Sequence, residues 1–378
     1  MRKSTFTASA VLVGTVIGAG IFGIPFALSK VGLLIGFFYI LIIGLVNLLI
    51  LLAYGEVIER SRGDHQMAGY AEMYLGKAGK NIAALTMLFG NIGALLIYMI
   101  GIGDFSYALF SPTLGGSPFV YALIFFILAS LAILVGLNLI VVIEKVMVVL
   151  LIGIVILFLL IGFPEIKIEN LAYSNFGNIF FPYGILLFSF GGVTAISEMR
   201  RVLKDKSKFR RAIVLGLSIP FVIYLLFSLV VVGVSGTETT PEAVIGLQNY
   251  LGGGVTSLGA ILGILTMGTS FLTLGIITKK LLVKDYKLDS TIAWVLTCFI
   301  PFFIYLAGLK DFIEVISIIG AVMGGMNGIL VLMMYKKAKK MGQEKPNLTI
   351  KIPSLIYYLL FAIFGLGIVY EIVFVILK

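Results

Sequence analysis

Long apolar runs separated by short charged loops organise this chain. They lie near residues 6–28, 33–58, 81–109, 118–137, 140–162, 178–199, 211–234, 253–283, 289–307, 311–335 and 354–377, eleven in all. A helix needs roughly 20 residues to cross a bilayer, and these runs have that length and almost no charge. The alternating ~10-residue segments of a membrane β-barrel are absent from the sequence. In hydrocarbon the backbone must bond within its own segment. The pattern therefore predicts an all-α integral membrane protein with about 11 transmembrane helices.

Two spans break the pattern. Span 1 contains GTVIGAGIFGIPFA, with Gly14, Gly18, Gly20, Gly23 and Pro25 within twelve residues. Span 6 contains FPYGILLFSFGGVTAISEM, with Gly191 and Gly192 adjacent. Each glycine weakens a helix by about 1 kcal/mol and a proline by about 3. Close helix packing through small residues accounts for such clusters, and so does unwinding. Gly18 lies about 12 residues into span 1 and Gly191 about 13 into span 6, so at ~1.5 Å per residue both sit near the midplane. Spans 1 and 6 are five helices apart in the order, with four between them, and therefore run in opposite directions. This is the mark of two inverted five-helix repeats whose broken helices bracket a midplane site. The chain divides accordingly into a first repeat over 1–163, a second over 164–340 and an accessory helix over 341–378.

Unwinding releases polar backbone groups. Freed N–H groups of Ala19, Gly20, Ile21 and Phe22 carry partial positive charge and suit a carboxylate. Freed carbonyls of Gly14 and Ile17, and of Phe188 and Ser189, suit an ammonium or a small cation. A ligand with an α-carboxylate and an α-amine fits both. The apolar surroundings (Phe22, Phe188, Phe190, Val193) point to a neutral, bulky amino acid.

Composition narrows the alternatives. The 378 residues are 60% hydrophobic and 12% charged, about half the charge fraction of a soluble domain. One histidine and one cysteine exclude a multi-histidine or thiolate metal centre and an intramolecular disulfide, so no cofactor is expected beyond a coupling ion, Na⁺ or H⁺. No GxxxxGK[ST] motif and no large loop provide for ATP. Few deep carboxylates argue against a membrane enzyme, and no continuous polar lining argues for a channel. MRKSTFTASAVLVGTVIG runs into span 1 without a cleavage site, so span 1 is expected to stay.

The net charge of +10 is explained by location. With the N-terminus inside, 24 of the 28 Lys and Arg fall in inner segments; Lys30, Lys167, Lys310 and Lys378 fall outside. This split orients the chain in the cytoplasmic membrane with the C-terminus outside. Its partner is then anionic lipid, with no role for nucleic acid.

The motifs GTVIGAGIFGIP, IYMIGIGDF (97–105), LLFSFGGVTAISEM (186–199) and GTSFLTLGIITKKLL (268–282) resemble spans 1, 3, 6 and 8 of amino acid permeases. These belong to the amino acid–polyamine–organocation superfamily, here nearest to the amino acid/auxin and hydroxy/aromatic amino acid permease branches. The resemblance implies the leucine-transporter-type 5+5 inverted repeat with broken helices 1 and 6. It also implies a secondary transporter working by alternating access. An exchanger, or a membrane sensor that binds without moving its ligand, stays open.

The substrate set it implies is Ile17, Gly18, Ala19, Gly20, Ile21, Phe22, Phe188, Ser189, Gly191 and Gly192, with Tyr98 closing the pocket. In sodium-coupled relatives span-8 hydroxyls meet span-1 carbonyls around Na⁺; Thr269 and Ser270 match that pair, Gly14 and Ile17 the carbonyls, and Thr266 matches less well. Span 5 has no lysine after Lys145, unlike some proton-driven relatives. The plainer alternatives are hydroxyls bonded back to their own helix and Tyr98 as a packing residue. Asp104 fits an exposed helix end or a gate. Glu56 and Glu198, near inner helix ends, fit pairing with Arg60 and Arg201.

Overall fold

The glycine clusters become gaps between helices. A computed structural model describes residues 5–136 and 140–376. Span 1 is two helices, α1 (Thr5–Val16) and α2 (Gly20–Val31), bent by 58°. Next come α3 (Leu33–Arg60), α4 (Met67–Leu114), α5 (Pro118–Val135) and α6 (Ile140–Gly162). A short α7 (Ile168–Ala172) precedes the second broken pair, α8 (Pro182–Ser189) and α9 (Val193–Val202). The remaining helices are α10 (Phe209–Ser235), α11 (Gln248–Leu251), α12 (Gly253–Asp285), α13 (Ser290–Leu306), α14 (Phe312–Ile319), α15 (Gly325–Met341) and α16 (Ser354–Ile376). α1 packs against α9 and α2 against α8, which sets the broken spans side by side and antiparallel. This is the all-helical leucine-transporter-type architecture with broken helices 1 and 6.

Among the described residues, seven helices are long and apolar enough to cross a membrane alone, and the bent α1–α2 pair makes eight. Three expected spans are not among these eight. α6 (Ile140–Gly162) is nonetheless a 23-residue apolar helix, and α13 (Ser290–Leu306) is apolar but only 17 residues long. The α8–α9 pair carries Glu198, Arg200 and Arg201 in its second half. Arg2, Lys3, Lys378 and the side chain of Lys145 lie outside the described residues.

Three features depart from the simple pattern. α4 is two helices joined at a kink: Gly76 (φ 75°, ψ −169°) leaves helical geometry, so a separate short helix from Met67 precedes the span expected from residue 81. Span 10 is interrupted by a π-helical turn, Gly320–Gly324. Gly320 there lies against the Gly184 carbonyl oxygen, where any side chain would collide, and an inserted residue of this kind is how a helix swings aside locally. Trp294 fits interfacial anchoring by sequence, yet its indole N–H donates to the Ser130 carbonyl at 2.8 Å and ties α13 to α5.

One end of the molecule gathers its basic loops around buried carboxylates. Glu56 is fully buried and Glu59 is 7% exposed. Glu56 pairs with Arg60 at 2.8 Å, and its other oxygen accepts from the Ile350 N–H at 2.8 Å. Glu59 accepts from the Asn347 and Leu348 N–H groups at 2.8 and 2.7 Å and faces Arg200 of α9 at 3.3 Å. The Arg60 carbonyl accepts from Gln343 and Glu344 at 2.8 and 3.2 Å. Residues 342–353 are thus an extended strap bound through its main chain to the end of α3. A buried anion is stable only when paired and hydrogen-bonded; Glu56 has a partner on each oxygen, whereas Glu59 is hydrogen-bonded through Oε2 alone and its Oε1 meets Arg200 as an ion pair without a hydrogen bond. Glu198 pairs with Arg201 at 2.6 Å, as its spacing suggests.

Glu59→Ala strands the Arg200 charge and two amides. Deuterium exchange across 342–353 should rise, and stability should fall by about 3 kcal/mol. Glu59→Gln, which keeps a carbonyl acceptor, should hold most of the strap's protection; equal exchange in wild type and Ala variant would disprove the anchor.

Candidate functional site

The first gap begins where α1 runs out of partners. The Ile17 N–H still reaches Val13 at 2.9 Å, and the Gly18 N–H then folds back onto the Val16 carbonyl at 3.0 Å. Among the described residues, the N–H groups of Ala19, Gly20 and Ile21 make no hydrogen bond to the backbone, and the Gly14 and Ile17 carbonyls receive none. The Phe22 N–H differs from the expectation: it donates to the Ala19 carbonyl at 3.1 Å, because the first turn of α2 tightens. Three free amides therefore point from the start of α2. Further along, Pro25 has no N–H to offer Ile21.

The second gap covers Phe190–Gly192. Phe190 (φ −90°, ψ 4°) and Gly192 (φ −150°, ψ 12°) leave helical geometry. The Phe188 carbonyl accepts from the Gly191 N–H at 3.0 Å. Ser189 accepts at its carbonyl from the Tyr224 hydroxyl at 3.0 Å. Both carbonyls expected to be free thus already hold one donor, though each keeps a second lone pair.

The two gaps touch. A methyl on Gly20 would lie 2.7 Å from the Ser189 Cβ and 2.8 Å from its Cα. One on Gly192 would lie 2.6 Å from a Leu12 methyl and 3.0 Å from a Val16 methyl. Here the glycines serve close approach as well as unwinding. Tyr98, half-buried on α4, brings its hydroxyl to 3.4 Å from where a Gly18 Cβ would sit. The Tyr224 hydroxyl of α10 lies 2.7 Å from the Val16 carbonyl and 3.0 Å from that of Ser189. Sequence reasoning missed Tyr224; its signal was one hydroxyl amid the apolar run IPFVIYLLF.

Burial differs between the two sides of the gaps. Phe22 (3% exposed) packs edge-on against Phe105 (0%) with centroids 5.0 Å apart. Val244 and Leu247, from the loop after α10, are buried; Val244 shares a small apolar pocket with Ile21 and Phe22. On the α1 and α9 side, Thr15, Gly191 and Thr194 are exposed.

The ion candidates are only partly assembled. The Thr266 hydroxyl is buried without a hydrogen-bond partner. Thr269 bonds back to the Thr266 carbonyl at 3.0 Å, the plainer of its two expected states. Ser270 is half-buried. α12 packs mainly on α4 and α6, and among the described residues no hydrogen bond joins these hydroxyls to Gly14 or Ile17. Away from these hydroxyls, Asp104 lies within electrostatic reach of Glu242 and Asp311. Burial, with the Asp311 charge adding to it, pushes the Glu242 carboxyl above its ordinary range.

Gly20→Ala should force α2 and Ser189 apart and abolish any ligand-induced thermal shift, because backbone stands in its way. Gly18→Ala meets only ordinary contact with Tyr98 and should keep that shift, while Gly18→Leu should lose it. A Gly20→Ala protein that responds to ligand like wild type would place the site elsewhere.

Comparison with known proteins gives the family and the fold. The tryptophan/tyrosine permease family matches residues 1–373. Tyrosine-specific transport system 2 of Haemophilus influenzae is 29% identical over 247 residues, covering 62% of this chain and 59% of that protein. Glutamine transporter 2 of Aliivibrio fischeri is 26% identical over 239 residues, covering 62% of each. Tyrosine-specific transport system 1 of H. influenzae is 26% identical over 232 residues, or 60% of this chain and 57% of its own length. The chain thus spans less than two thirds of the length of the curated relatives it matches. Among solved structures, MhsT in complex with L-phenylalanine superposes with a TM-score of 0.69 at 15% identity, covering 99% of both chains.

Proposed function

Because the chain belongs to the tryptophan/tyrosine permease family, we propose that it is a secondary transporter of a neutral amino acid, bulky or aromatic in its side chain. It moves this substrate across the cytoplasmic membrane by alternating access, with the N-terminus inside and the C-terminus outside. The observation that carries the reading is the pair of opposed gaps. Three unbonded amides at Ala19, Gly20 and Ile21 face a carboxylate, and the unbonded carbonyls of Gly14 and Ile17 supply acceptors for an ammonium. This recognition uses only the groups every amino acid shares. It is compatible with relatives named for substrates as unlike as tyrosine and glutamine, both neutral, and leaves the side chain to be chosen by Tyr98, Phe188 and their neighbours.

The exposure of Thr15, Gly191 and Thr194 beside the buried Phe22–Phe105 pair supports an inward-facing state, open on the side where the basic loops gather. In this reading residues 1–163 and 164–340 form the two repeats, and 341–378 the accessory helix. The coupling ion is Na⁺, held between Gly14 and Ile17 carbonyls and Thr266, Thr269 and Ser270. The orphaned Thr266 hydroxyl supports this site, since burying a hydroxyl without a partner is unfavourable.

Purified protein should gain thermal stability with one or a few neutral amino acids, more in sodium than in potassium buffer, and should show counterflow of the same compound in liposomes. Binding without counterflow would identify a sensor. Stabilisation by none of the standard amino acids would refute the reading. Ser270→Ala should weaken the sodium dependence; an unaltered sodium response would move the ion site away from α12.

A further inference from the structure

α1 and α8 approach the gaps from opposite faces of the membrane, and both end there with their C-termini. Each helix C-terminus carries roughly half a negative charge, so the two ends repel. Their last carbonyls, Val16 and Ser189, nevertheless converge on one phenol, 2.7 and 3.0 Å from the Tyr224 oxygen. Tyr224 is fully buried, and its ring stacks edge-on against Phe190 at 5.2 Å. The ring would stay packed without its hydroxyl. The hydroxyl has one proton and two acceptors, so it cannot fully satisfy both carbonyls at once. The Val16 carbonyl also receives the Gly18 amide at 3.0 Å; Ser189 has no second backbone donor among the described residues.

We infer that Tyr224 is the positioning residue of the substrate site, a single hydroxyl that holds the C-terminal ends of both broken spans at one point. The inference rests on the carrier reading. Pinning Val16 fixes the turn that leaves Ala19, Gly20 and Ile21 free. Pinning Ser189 fixes the residue against which Gly20 packs. The spacing between the anion-binding amides and the acceptor carbonyls therefore depends on one proton donor that touches neither end of the ligand. Because that donor sits on α10, both gaps also travel with α10 when the protein changes state.

The test is a donor series at one position: wild type, Tyr224→Phe, and a fluorinated tyrosine of nearly the same size whose hydroxyl donates more strongly. Each is purified as the full chain. Deuterium exchange over residues 17–22 and 189–193 is measured without ligand, and affinity is measured for the amino acid that stabilises wild type best. Tyr224→Phe should raise exchange at both gaps and weaken affinity about tenfold, the effect of losing one buried hydrogen bond. The fluorinated residue should bind at least as tightly as wild type. Equal exchange and equal affinity across the series would overturn the inference, as would a Phe variant that only melts earlier while binding unchanged. A wild-type protein that binds no amino acid would instead overturn the carrier reading, a separate and recognisable result.

Discussion

Hydrocarbon offers a peptide group nothing to bond with, and that constraint organises this molecule. A polar backbone group left bare in lipid is expensive, so a helix comes apart at mid-membrane only where protein surrounds the gap. Here the two gaps supply each other's walls. Gly20 lies against Ser189 and Gly192 against Leu12 and Val16, and the Tyr224 hydroxyl meets the last carbonyls of α1 and α8. The groups that stay unpaired, at Gly14, Ile17, Ala19, Gly20 and Ile21, are those a zwitterion could complete. Site and fold depend on the same shortage of partners.

Much of this was legible in the residues. The long uncharged runs specify helices through the solvent they need, and clustered glycine with Pro25 marks where span 1 cannot stay whole. The position of both clusters at about equal depth in oppositely directed spans predicted the paired breaks. What stayed hidden depended on distant contacts. Nothing local shows that the Ser189 carbonyl is taken by Tyr224, 35 positions later, or that the first turn of α2 tightens enough to occupy the Phe22 amide. The π-helical turn at Gly320–Gly324 was equally hidden, since the Gly184 carbonyl it lies against comes from a distant part of the chain. A glycine's purpose is set by what lies opposite it, and one chain's sequence does not list its opposites.

The accessory helix is likewise part of the scaffold. Gly325 and Gly328 of α15 press against Ile368 and Phe364 of α16, and Gly367 sits under the Tyr183 ring. The Tyr183 hydroxyl donates to the Ile363 carbonyl at 3.1 Å. The start of α8, one arm of the second broken span, is therefore braced by the last helix of the chain.

The strap at 342–353 has a consequence for how its sequence can drift. Glu56 and Glu59 grip it by main-chain N–H groups, so at exposed Asn347 they are blind to the side chain. They are not blind to the imino acid, which brings no hydrogen to donate. The chain carries prolines at 346 and 353, one just before the gripped positions 347, 348 and 350 and one three places after them, and neither on them. Moving Pro346 one place along would silence a contact without altering composition, charge or hydropathy at all.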